Sequence, residues 1–122
     1  MNVLTAATPG LDTAVERALA WATAAGATTV HRADTAAGTV TIAGELGGAA
    51  TFHPLGTGAA AGLGPLAAAD IAATSPPTPP GDTLAVLLDE RRLTVHAGAG
   101  HQRVVTCELG EGRLYSSHVG AL

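Results

Sequence analysis

The chain has 122 residues, 47 % of them hydrophobic but only 2 % aromatic, with six arginines against ten acidic residues and no lysine. That length holds one domain with a single core, and a net charge of −4 without any basic run disfavours a nucleic-acid partner. No stretch is long and apolar enough for a transmembrane helix, and the lone Cys107 excludes an internal disulfide. The opening "MNVLTAATPG" lacks the basic start of a signal peptide, so a reducing cytoplasm is the expectation. The wealth of Ala, Arg and Gly fits a GC-rich bacterial genome. Alanine and glycine also carry much of the apolar count, so the core is thin in large side chains and gains little per residue.

In chain order, "NVLTAA" (2–7) predicts a first strand and "TPG" (8–10) a turn. Thr13 and Glu16 have the spacing of a capping box. Val15, Ala18, Leu19 and Ala22 follow at i, i+3, i+4, i+7, one apolar stripe, and Gly26 is a stop signal; a helix over 13–25 is predicted. "ATTVHRAD" and "TVTIAGEL" are β-branched runs around the turn "TAAG". "AATFHPL" (49–55) predicts a strand ended by Pro54. "GTGAAAGLG" (56–64) reads as a glycine-rich loop. Pro65 suits the first turn of a short helix over 65–73, and "SPPTPPG" (75–81) an extended polyproline crossing.

The last third reads as sheet. "TLAVLLD" (83–89) is an apolar run suited to a strand covered on both faces, and "DERR" is a turn. In "LTVHAG", Leu93, Val95 and Ala97 share one face and Thr94 and His96 the other. "QRVVTCEL" and "RLYSSHV" flank "GEG" (110–112), the strongest hairpin signal in the chain. The expected architecture is α+β: one domain over 1–122, antiparallel sheets with two helices, a C-terminal four-stranded meander, and no internal repeat.

The residues capable of chemistry do not converge by spacing. A metal site needs three or four ligands, and His96 and His101 merely flank "AGAG"; His96 and His118 could share a sheet face. Cys107 sits in mid-strand beside Glu108, the setting of a small core residue rather than of an activated thiolate. Ser116 and Ser117 lie in a strand, not on a nucleophile elbow. Gly56, Gly58 and Gly62 give G-x-G-x-x-x-G, which is not the dinucleotide spacing. No catalytic residue, metal ligand or cofactor is assigned.

Residues 81–122 nevertheless resemble the end of the glutaminase-type N-terminal domain of asparagine-synthetase-like enzymes. Gly81, Asp82, Ala85 and Asp89 match its G-D-F-A-φ-φ-φ-W-D. Leu93, Val95, Gly100 and Arg103 match the strand and turn leading to R-D-x-x-G-x-R-P-L-Y-Y. Gly112, Leu114, Tyr115, Ser117, Ala121 and Leu122 match the closing G-x-L-x-F-A-S-E-x-x-A-L. His31, Arg32 and Gly38 in "HRADTAAG" are similar to H-R-G-P-D-x-x-G. Such glutaminases use a cysteine at the mature N-terminus whose own amine acts as base. Position 2 here is Asn2, and the Y-N-G-E-I-Y-N and R-R-L-S-I segments, for the oxyanion and the substrate carboxylate, are missing. The resemblance therefore implies a degenerate, non-catalytic lobe, as in β-lactam synthetases and lasso-peptide cyclases. Its partner would be an ATP-dependent amide-forming synthetase or cyclase domain or subunit; no cofactor, nucleic acid or membrane is implied.

Two other readings stand beside it. "LDERRLTVHAGAGH" is similar to the late strand of bacterial PP2C-like phosphatases, although the G-D-x-x-G-H-G segment is absent; a small free-standing enzyme or ligand-binding domain would then use the 56–64 loop or the His96/His101 loop. The third is a structural domain that self-associates, stabilising its thin core and covering an exposed strand edge.

Overall fold

The strand β1 (Val3–Ala7) has all five side chains buried, so both of its faces are covered. The computed structural model, which describes residues 2–47, 50–64, 84–97, 105–118 and 121, explains how. β1 is followed by α1 (Asp12–Ala24), β2 (Val30–Thr35), β3 (Gly38–Ala43), β4 (Ala50–Leu55), β5 (Gly58–Leu63), β6 (Leu84–Leu88), β7 (Leu93–Ala97), β8 (Val105–Leu109) and β9 (Gly112–Ser116). Sheet A has the order β2-β3-β1-β9-β8 and sheet B the order β4-β5-β6-β7, with antiparallel neighbours throughout.

The sheets stack through alternate residues. Leu4, Ala6, Val40 and Ile42 of sheet A meet Ala50, Ala59, Ala61, Leu63, Leu84, Val86 and Leu88 of sheet B, with Phe52, Leu93, Val95 and Tyr115 at the margin. The opposite face of sheet A receives α1: Ala18 and Ala22 pack with Val3 and Ala43, and Val15 with Ala7 and Leu114. The result is three layers, helix on sheet on sheet. Alanine supplies Ala6, Ala50, Ala59 and Ala61 to the core between the sheets. A void of about 10 Å³ between Leu4, Ala6, Leu84, Val86, Val95, Tyr115 and Ser116 is too small and too apolar to hold a satisfied water.

The broad α+β expectation is met by the antiparallel sheets and the one helix among the described residues. The helical stripe is as predicted, and Gly26 (φ 111°) closes α1 with Gly26 N–H to the Thr23 carbonyl at 3.1 Å and Ala27 N–H to the Ala22 carbonyl at 3.0 Å. The capping box is not formed. Leu11 is the N-cap, without a side-chain bond, and Thr13 lies inside the helix. Glu16 instead accepts a 2.7 Å bond from Arg32 Nη1, which removes the carboxylate from the helix end.

The segment 56–64 is no loop. Gly58–Leu63 is β5, and every residue in it is buried. Pro54 does not end β4 but sits within it opposite Ala59, on a sheet edge where the missing N–H costs no ladder bond. Gly58 must be glycine: a Cβ there would run into the Leu88 carbonyl, 2.6 Å from its carbon and 3.1 Å from Asp89 Cα. Gly38 opens β3 in the same way, against the Ala7 carbonyl. The β4–β5 hairpin thus repeats the geometry of β2–β3, two six-residue strands around a two-residue turn, with different side chains.

The predicted C-terminal meander is corrected in its pairing. All four strands exist, but β6 and β7 pair in sheet B whereas β8 and β9 pair in sheet A. β1 requires a neighbour on its free side, and β9 supplies it through Thr5↔Ser116, Ala6↔Tyr115 and Ala7↔Leu114. The helix expected over 65–73 and the polyproline crossing at 75–81 lie outside the described residues.

Candidate functional site

Because β1 lies inside sheet A, its first residues emerge at the middle of one sheet end. There Asn2 borders an open cleft of about 470 Å³, with Thr28, Glu45 and Leu46 among its other walls and Gly26, Gly44 and Gly47 giving it width. Thr29 Oγ1 donates to the Gly44 carbonyl at 2.7 Å, and Gly44 N–H donates to the Thr29 carbonyl at 2.8 Å, so the two flanking turns are tied together. The described lining carries one carboxylate, one amide and one hydroxyl, and neither Lys nor Arg. Its volume suits a small molecule, and its charge favours a neutral or cationic guest over an anion.

Where β9 ends beside β1, Ser117 continues the pairing. Its N–H donates to the Leu4 carbonyl at 2.9 Å, and Leu4 N–H donates to Ser117 Oγ at 3.0 Å. Ser117 Oγ lies 2.8 Å from His118 Nδ1, and the His118 ring packs against Trp21 of α1 at 6.0 Å between centroids. Serine beside imidazole has the composition of a nucleophile and base. Here, however, the hydroxyl already accepts a bond from a central-strand amide, and the pair works as a latch joining β9, β1 and α1.

A third cluster lies on the helix side of β2. Arg32 donates from Nε to Asp34 Oδ2 at 3.0 Å and from Nη2 to Asp34 Oδ1 at 3.2 Å, and from Nη1 to Glu16. Asp12 stands 3.9 Å from Nη2. The hydrogen bond from Arg32 is the main cause holding the Asp34 carboxyl below the usual aspartate range, with a further bond from Thr39 Oγ1 at 2.6 Å. The same contact raises the Arg32 guanidinium further above its ordinary value. Arg32 and Asp34 share a face because strand side chains alternate; their i, i+2 spacing of opposite charges is the signal of this pair in the sequence.

The histidines considered from sequence do not assemble. His96 belongs to β7 of sheet B and His118 follows β9 of sheet A, so they share no sheet face. His31 packs its ring on Phe52 at 5.6 Å, and His53 is exposed on β4. Among the described residues no three His, Cys, Asp or Glu side chains could hold one metal ion. His101 and the side chain of Cys107 lie outside what is described; Cys107 pairs in register with Leu114. Among the described residues no helix is long and apolar enough to cross a membrane. Comparison with known protein families, with curated proteins and with solved structures finds no match.

Proposed function

We propose that this chain is a non-catalytic, glutaminase-like lobe that supports an ATP-dependent amide-forming synthetase or cyclase. The observation that supports the reading is the position of Asn2, at the head of a central strand and on the rim of a polar cleft. The Asn2 side chain brings to this cleft an amide, with no thiol or hydroxyl to activate as a nucleophile, so the cleft reads as a place to hold or dock rather than to cleave.

The test pairs the purified chain, in turn, with the ATP-dependent amide-forming ligases of its own genome. Docking stabilises the folded state by mass action, so the melting temperature rises by several degrees at saturating ligase and the two proteins co-sediment. Glutamine incubated with the chain alone releases no ammonia. An unchanged melting temperature with every ligase at saturation, or ammonia release that tracks the folded protein, overturns the reading.

A further inference from the structure

We propose that β2 pairs with β2 of a second copy of this chain, antiparallel about a two-fold axis through Ala33, joining two five-stranded sheets into one. This does not depend on the function proposed above.

Among the described residues, β2 is an edge of sheet A, paired only with β3. An edge strand presents backbone donors and acceptors that another strand can use, and proteins commonly block it with proline, a bulge or a cover. Of the two edges whose side chains are fully described, β4 contains Pro54, whereas β2 (VHRADT) has neither proline nor glycine and runs six residues in unbroken register with β3. Val30, at its start, is 45 % exposed.

Charge selects the occupant and the register. A two-fold axis on Arg32 would set arginine against arginine, and one on Asp34 would set aspartate against aspartate. An axis on Ala33 sets Arg32 of each copy opposite Asp34 of the other, and His31 opposite Thr35. Arg32 and Asp34 already lie side by side on one face, joined by hydrogen bonds of 3.0 to 3.2 Å. The cross-strand pairs would complete a square of alternating charge, the arrangement favoured between directly opposed strand residues. A partner of different sequence has no such guarantee of complementarity; a second copy has it by symmetry. One strand pair buries less than a standard interface of about 1,600 Å², so the dimer is weak, with dissociation in the micromolar range.

Sedimentation equilibrium of three proteins tests this register. The wild type dimerises. Arg32→Glu alone opposes acid to acid, Asp34→Arg alone opposes base to base, and both sediment as monomers. Mixed one to one, the two variants dimerise, because every opposed pair is then of opposite sign. A separate variant leaves the charges intact should either charge change impair folding: Ala33→Cys in a Cys107→Ala background. Residues directly opposed on antiparallel strands have Cα atoms about 4.5 to 5.5 Å apart, within disulfide range, so mild oxidation links Ala33→Cys into a covalent dimer. A wild type that stays monomeric at submillimolar concentration overturns the proposal. So does a mixture of folded variants that stays monomeric, or an Ala33→Cys protein that does not cross-link.

Discussion

Thr41 is the described residue whose chemistry and surroundings disagree most. It is 1 % exposed beneath α1, and its hydroxyl has no hydrogen-bond partner among the described residues, whereas neighbouring Thr39 donates to Asp34. An unsatisfied buried hydroxyl costs about 1 to 3 kcal/mol. Thr41→Val keeps the shape and removes the cost, so it raises the stability to urea by about 1 kcal/mol, whereas Thr39→Val lowers it. Equal effects of the two substitutions would show that the Thr41 hydroxyl is satisfied. Gly58 carries the opposite risk. The atoms that a Cβ would strike are backbone atoms of β6 and its turn, which cannot rotate away. Gly58→Ala therefore costs about 2 kcal/mol or more, read as a lower urea midpoint, whereas alanine at exposed Gly56 is limited by its positive φ alone (51°).

At the scale of elements, the parts of the sequence with a clear period were legible and those without it were not. α1 showed its buried stripe because Val15, Ala18 and Ala22 return every turn, and β7 showed its two faces because Leu93 and Val95 alternate with Thr94 and His96. β5 was hidden. Its small residues lack strand preference, and burial on both faces removes the alternation that marks a strand. The capping box misled because Glu16 had a better partner sixteen residues away in Arg32. Arg32 also makes β2 acid-sensitive through its hydrogen bonds to Asp34. Asp34 has a depressed pKa in the folded state, so its contribution is full above the ordinary aspartate value near 3.9 and is lost as pH falls below it toward the folded value. The carboxylate is about half exposed, which keeps the contribution small. Asp34→Asn flattens the acid limb of a stability-against-pH curve below about pH 4 and leaves its shape above pH 6 unchanged. An unaltered acid limb would place the titration elsewhere, Asp89 being the other candidate, since its carboxylate accepts the Arg91 and Arg92 amides.

At the scale of the molecule, most strands were legible, β5 excepted, but their sheets were not. Local pattern says that a segment is extended and which side is apolar; it does not say which strand lies beside it. That choice is made by β1, which needs two neighbours and takes β9 from the other end of the sequence, through Thr5↔Ser116 and the Leu4–Ser117 bonds, 113 residues apart. The candidate site was illegible for the same reason: the cleft combines Asn2 with turns at 26–28 and 44–47 that only the completed sheet brings together. Closing such long loops is slow, which places folding in the millisecond-to-second range of sheet-dominated topologies.

The same closure should make the fold all-or-none. β9 is the strand that joins β8 to the rest of sheet A, and it brings Leu114 to the cluster of Ala7 and Val15 under α1. Deleting residues 110–122 therefore leaves β8 with no partner in that sheet and β1 with one uncovered edge. It also exposes the face on which α1 rests. The lost burial involves two layers at once, against a domain stability of only about 5 to 15 kcal/mol. The truncated chain is expected to show no cooperative thermal transition by circular dichroism. Leu114→Ala, which leaves β9 in place, should keep one transition and lose about 2 to 5 kcal/mol. A truncated chain that melts cooperatively within a few degrees of the full one would mean that sheet B and β1–β3 form an independent unit, and that β9 is an addition to the fold rather than its closure.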